Sequence, residues 1–102
     1  MRGWRYHREA ERELIETAQW YEERRAGLGG EFIEAVTTAL ELVREDRLPG
    51  FKARESKRDH VRKVLMGRFP YLLVLDVREE HRAVLAVAHD RRRPGYWKAR
   101  RA

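Results

Sequence analysis

The sequence predicts an α+β fold: an N-terminal strand, then an α-helical hairpin packed on a small, mainly antiparallel sheet, in the order β-α-α-β-β-β. Three observations carry this. Apolar residues recur at helical spacing through residues 8–46, and a short Gly-rich link at 26–30 divides that stretch in two. A link so short implies antiparallel helices. From Asp59 to Trp97 the pattern changes to short apolar runs parted by turn-forming residues, which reads as three strands and a tail. Helices on one face of such a sheet make a two-layer arrangement, and the 102 residues are expected to form it as a single domain, 1–102.

Trp4-Arg5-Tyr6-His7 alternates aromatic and polar residues, as a short strand at a sheet edge does. From Arg8, Ala10, Leu14, Ala18 and Tyr21 mark one face of a helix. Glu9, Glu11, Glu13 and Glu16 fall in its first turns, where the helix dipole favours acids. Glu9, Glu13 and Glu16 share a face. They read as solvated rather than metal-ligating, because no histidine follows at ligand spacing and Arg8 and Arg12 compete for them. Arg24 and Arg25 precede Gly27, which is expected to stop the helix. In the second helix Ile33, Val36, Leu40 and Val43 form one stripe and Phe32, Ala35, Ala39 and Leu42 its neighbour. Leu48-Pro49-Gly50 ends it, and 51–58 reads as a polar connector.

The sheet segment is 59–97. In its first strand Arg62 and Lys63 point to opposite faces, because side chains alternate. Gly67-Arg68 turns the chain, and Pro70 falls near the start of the next strand, where a missing N–H is tolerated. Phe69 to Val77 is apolar at nearly every position, and Ala83 to Ala88 carries no charge. Strands wetted on one face alternate, so the centre of this sheet is expected to be covered on both. The hairpin supplies one cover; the other comes from the chain's own ends or from a partner.

Composition narrows the function. There are no cysteines, which excludes a disulfide frame and a thiolate metal site. The N-terminus lacks a signal-peptide core and no run is long enough to span a bilayer, so a soluble, cytoplasmic protein without a membrane partner is expected. Net charge is +6, unevenly spread: residues 1–46 hold 7 basic and 11 acidic side chains, residues 47–102 hold 16 and 6. A basic half of that size attracts phosphate or an acidic protein segment. The Gly-rich link lies between helices and so is no phosphate loop, and no cofactor or metal is expected.

These features together resemble the RelE/ParE superfamily of type II toxin–antitoxin toxins over nearly the whole chain. The likeness rests on His7-Arg8-Glu9-Ala10 after an aromatic strand and on Trp20-Tyr21-Glu22 with Gly27-Leu28-Gly29. It rests further on Val61-Arg62-Lys63, on Arg68-Phe69-Pro70-Tyr71, and on Ala88-His89-Asp90-Arg91-Arg92 with Tyr96-Trp97. The resemblance implies neutralisation by a cognate antitoxin, with self-association of the toxin in its absence. It implies one of two targets: DNA gyrase for ParE-like members, or mRNA in the ribosome for RelE-like ones. A degenerate member that only binds its antitoxin is the third reading.

A metal-free RNase needs an acid–base pair and cations around the scissile phosphate. On the RelE-like reading the candidates are Tyr96, His89, Arg91 and Arg62. RelE-like nucleases carry an arginine near the start of the central strand, where this chain has Phe69-Pro70-Tyr71-Leu72. A histidine closing the last strand before an Arg-rich segment is common in ParE-like members. The ParE-like reading is therefore favoured, with Arg62, Lys63, Arg68, Arg91, Arg92 and Arg93 as contacts to a partner or nucleic acid. The bland alternatives are definite: His89 as a strand-end cap, Trp97 packed on the core, and 91–93 splayed by Pro94-Gly95.

Overall fold

The computed structural model describes residues 3–101; residues 1, 2 and 102 of the expected 1–102 span lie outside them. The chain runs β1 (Arg5–Tyr6), α1 (Arg8–Arg24), α2 (Leu28–Arg44), β2 (Phe51–Lys52), β3 (Val61–Leu65), β4 (Tyr71–Arg78) and β5 (His81–His89). All five strands form one sheet in the order β1-β5-β4-β3-β2. The β1–β5 pairing is parallel and the other three are antiparallel. β4 is thus central, and β1 lies at an edge.

Two local expectations need correction. Residues 51–58 are not wholly a connector, because Phe51 and Lys52 pair with Lys63 and Arg62 as a two-residue edge strand. So short a strand has no periodicity to read; only its partner reveals it. The helical link is also tighter than 26–30, since Leu28, Gly29 and Gly30 already belong to α2. Gly27, with φ of 90°, is the N-cap of α2 rather than the stop of α1, a left-handed conformation that glycine adopts without a Cβ penalty.

Each helix start is capped in an unusual way. The His7 ring accepts the Glu9 N–H at 3.0 Å and caps α1. Gly27 cannot cap α2 by a side chain, and Glu22 of α1 does so instead, accepting the N–H groups of Gly27 at 2.8 Å and Gly29 at 2.9 Å. That cross-helix bond needs close approach. A Cβ on Gly29 would lie 2.4 Å from the Ala18 carbonyl oxygen. Gly29→Ala is therefore expected to push the helices apart and cost about 2 kcal/mol, read as a shift of the urea midpoint at unchanged slope. A neutral result would mean that the hairpin can open at no cost.

The sheet separates two cores. On the helix side, Trp4, Phe32, Val36 and Leu40 pack on Leu73, Leu75, Val84 and Val87. Phe69 joins Phe32 and Tyr21 edge-on, at ring distances of 5.1 and 5.0 Å, tying the β3–β4 loop to the hairpin. On the other side, Val61, Val74, Leu85 and Ala86 are covered by Trp97 and Ala53. The second cover is therefore the chain's own C-terminal tail, and Trp97, 2% exposed, is its plug. No helix is long and apolar enough to cross a membrane among the described residues.

Candidate functional site

β5 has nine residues, but β1 covers its outer edge only at Ala83 and Val84. An open edge leaves backbone groups unpaired and invites pairing with another chain. Here two side chains continue the ladder. The Arg100 guanidinium donates to the Leu85 carbonyl at 2.9 Å, and the Val87 N–H donates to the Glu13 carboxylate at 3.0 Å. Glu13 and Arg100 meet through two further hydrogen bonds of 3.0 Å each. The Tyr96 hydroxyl donates to Glu13 at 2.8 Å. The Arg92 guanidinium lies 3.9 Å from the Tyr96 ring centroid, with that of Arg100 at 5.0 Å.

This clasp corrects the expected solvated face at one position, Glu13; Glu16 is exposed, and Glu9 pairs with Arg12 at 3.5 Å. Glu13 is only 13% exposed and organises the whole tail. Nothing in the local pattern marks it, because its clasp partners lie 74 to 87 positions away. The clasp also fixes the state of Tyr96. Burial first, and then the bond to the Glu13 carboxylate, raise its pKa well above the ordinary phenol value. A phenol held protonated and already donating is a poor proton shuttle at neutral pH.

His89 closes β5, and its Nδ1 accepts the Arg91 N–H at 3.1 Å. An accepting Nδ1 leaves the proton of the neutral ring on Nε2. The ring stands edge-on to Tyr71, at 5.1 Å, in a cleft lined also by Glu16, Thr17, Trp20, Tyr21 and Pro70. It is thus the strand-end cap of the bland reading, placed on the helix side of the sheet.

Arg62 is far from it. It pairs in register with Leu75, while His89 pairs with Tyr71. Four residues along β4 and two strand spacings across correspond to roughly 13 Å and about 10 Å. The structure therefore does not bring Arg62 together with His89, and Tyr96 is engaged on the outer edge of β5.

The contact cations fall into two groups. Lys63 is hydrogen-bonded to Glu55 and mostly covered. Arg68 binds Glu31 at 2.5 Å; hydrogen bonds from Arg25 and then Arg68 hold that carboxyl below its usual range. Arg92 lies 3.9 Å from Glu13. These three are structural as much as available. Arg62, Arg91 and Arg93 are exposed, and their side chains form no ion pair among the described residues. Arg91 to Arg93 do splay: one folds onto Tyr96 and its neighbours face water.

A second surface lies on the opposite side of the molecule from the clasp. A groove of about 330 Å³ runs between α2 and the end of β3; Ala35, Leu42, Leu48 and Leu65 are part of its apolar lining, and Glu31, Glu34 and Arg68 line it as well. Leu65 is 61% exposed and Phe51 49%. β2 pairs only with Arg62 and Lys63, so Val64 and Leu65 extend past it. No cluster of side chains that could hold a metal ion occurs among the described residues.

Residues 4–94 match the family model described as the ParE toxin of the type II toxin–antitoxin system parDE. A solved structure titled "Chromosomal ParDE TA system from P. aeruginosa" is similar at a TM-score of 0.56 and 19% identity, covering 84% of this chain and 92% of that one. At that identity the likeness speaks to the fold, which it shares. Curated proteins yield no significant match.

Proposed function

We propose that this chain, which belongs to the ParE toxin family of type II toxin–antitoxin systems, inhibits growth by binding DNA gyrase and is neutralised by a cognate antitoxin. The observation that favours binding over RNA cleavage is the dispersal of the candidate proton-moving groups. Tyr96 donates to Glu13, the Nδ1 of His89 is occupied by the Arg91 N–H, and Arg62 is on another strand. Exposed cations without ion pairs are what a docking surface uses, and Arg62, Arg91 and Arg93 are of that kind. Charges at an interface rim steer encounter and orient the complex rather than perform chemistry.

On this reading the antitoxin covers the groove beside β3. A segment entering there can place apolar side chains against Leu42, Leu48 and Leu65. It can add backbone hydrogen bonds at the strand edge past β2. Acids flanking it would meet the basic half of the chain. Without the antitoxin, a second copy is expected to occupy the same groove.

The test runs two assays on the purified protein: gyrase supercoiling of relaxed plasmid, and defined in vitro translation with mRNA ends mapped by primer extension. Blocked supercoiling or trapped cleaved plasmid, with intact mRNA, is the expected result. Arg91→Ala with Arg93→Ala is expected to raise the concentration needed about tenfold, from roughly 0.5–1 kcal/mol per exposed charge. Codon-positioned cuts that require ribosomes, with supercoiling unaffected, would overturn the reading in favour of a nuclease.

A further inference from the structure

On the tail side of the sheet, below Trp97, the connector after β2 and the chain's last turn enclose a polar pocket of about 250 Å³. Its lining is Glu55, Ser56, Lys57, Arg58, Lys98 and Arg101. It shares no residue with the groove, the clasp or the His89 cleft. The acid in this lining, Glu55, is hydrogen-bonded to Lys63 from outside the pocket. The four cations have no such relief: none forms an ion pair with a carboxylate among the described residues, and Lys98 acts on Glu55 only through space.

The arrangement concentrates this charge. Arg58 and Arg101 converge on one acceptor, the Lys98 carbonyl oxygen, at 3.4 and 3.1 Å. Arg101 also donates to the Arg100 carbonyl at 3.1 Å, and both guanidinium forks keep donors beyond these bonds. Burial, and next the Arg101 charge, lower the pKa of Arg58, with Arg78 adding to the effect against the pull of Asp76. Asp76 acts on Arg58 only through space, and Arg78 binds both its oxygens at 3.2 Å. The Arg58 backbone is fixed from below by the buried Ser56, whose Oγ accepts its N–H at 3.1 Å. The site is therefore held in place with cations in excess, four against the one Glu55 carboxylate, whose Oε1 has no hydrogen-bond partner.

We propose that this pocket is an anion site that takes a phosphate group. Two forks and two ammonium groups around one cavity suit a tetrahedral anion, which offers acceptor oxygens in several directions. A single carboxylate would satisfy one fork and leave the other. The phosphate can be free or can belong to a nucleic-acid backbone; the chemistry of recognition is the same.

Two probes separate those sources: inorganic phosphate, and a short single-stranded oligoribonucleotide, each titrated into isotope-labelled protein. The expected result is movement of the Ser56 to Arg58 and Lys98 to Arg101 amide signals. Arg58→Gln with Arg101→Gln is expected to weaken the effective probe about tenfold or more. Oligonucleotide binding should lose about one unit of salt slope per cation removed. Saturation by inorganic phosphate assigns the site to a free phosphate or small phosphorylated molecule. Response to the oligonucleotide alone assigns it to a backbone. If neither probe moves these signals, or if the double variant binds as the parent does, the proposal is wrong. Should that variant fail to fold, Lys57→Gln with Lys98→Gln, both exposed, carries the same test. The outcome is independent of the gyrase assay.

Discussion

Trp97→Ala is expected to remove about 4 kcal/mol of stability, the upper range for truncating a buried aromatic. Marginal stability makes this a large share of the whole, since domains of this size hold only about 5–15 kcal/mol. The reason is geometric. β4 and β5 carry apolar side chains on both faces, and the helical hairpin can cover only one. Val61, Val74, Leu85 and Ala86 on the other face depend on Trp97, with Ala53 beside it. Truncation opens a cavity and wets the centre of the sheet together. At about 4–8 °C per kcal/mol the midpoint should fall by roughly 15–30 °C. Trp97→Phe, which keeps an aromatic plug, should lose less than half as much. A loss under about 1 kcal/mol for the alanine variant would mean that the tail does not seal the sheet.

What could be read from the sequence divides by the range of the interactions. The two helices follow from spacing within single turns, as at Ala10, Leu14, Ala18 and Tyr21. The double burial of β4 follows from the missing alternation between Phe69 and Val77. The sequence leaves open what covers the second face, because a tail and a partner impose the same apolar pattern on a strand. β2 escapes notice since Phe51 and Lys52 become a strand only against Lys63 and Arg62. Glu22 had a readable signal: an acid closing one helix, five residues before a Gly-initiated helix with no Ser, Thr, Asp or Asn to cap it. Glu13 had none, being one of six acids in α1 until residues 96 and 100 arrive. The candidate site suffers most from this, for the state of Tyr96 is set by that one long-range partner.

Glu13→Ala should therefore be the most damaging single change on the outer surface of α1, although the residue looks like a helix-surface acid. It strands three groups together: the Arg100 guanidinium, 14% exposed, the Tyr96 hydroxyl and the Val87 N–H. Removing one member of a largely covered ion pair costs about 3–5 kcal/mol when fully buried. The clasp lies at the rim, so about 3 kcal/mol is expected, measured by urea unfolding. Pairing it with Arg100→Met removes the stranded charge, and the double variant should recover about 1–2 kcal/mol relative to the sum of the singles. Simple additivity would deny the clasp its cooperative role. The phenols give a second readout. Tyr6 is pushed up to about 12, by burial first and then by the Glu11 charge. Tyr96 is raised as well, so both stabilise the fold as neutral groups. That contribution is complete below the unfolded value of about 10 and is lost as pH climbs through the folded values. In the Glu13 variant one tyrosine should ionise earlier in an ultraviolet titration, and its stability, lower at neutral pH, should fall less steeply in alkali than the parent's does. Because Glu13 and Arg100 also hold the β5 edge closed, the same variant should expose Leu85 and Val87 backbone groups to another chain. Concentration-dependent association on its loss would show that the clasp guards an edge as well as anchoring a tail.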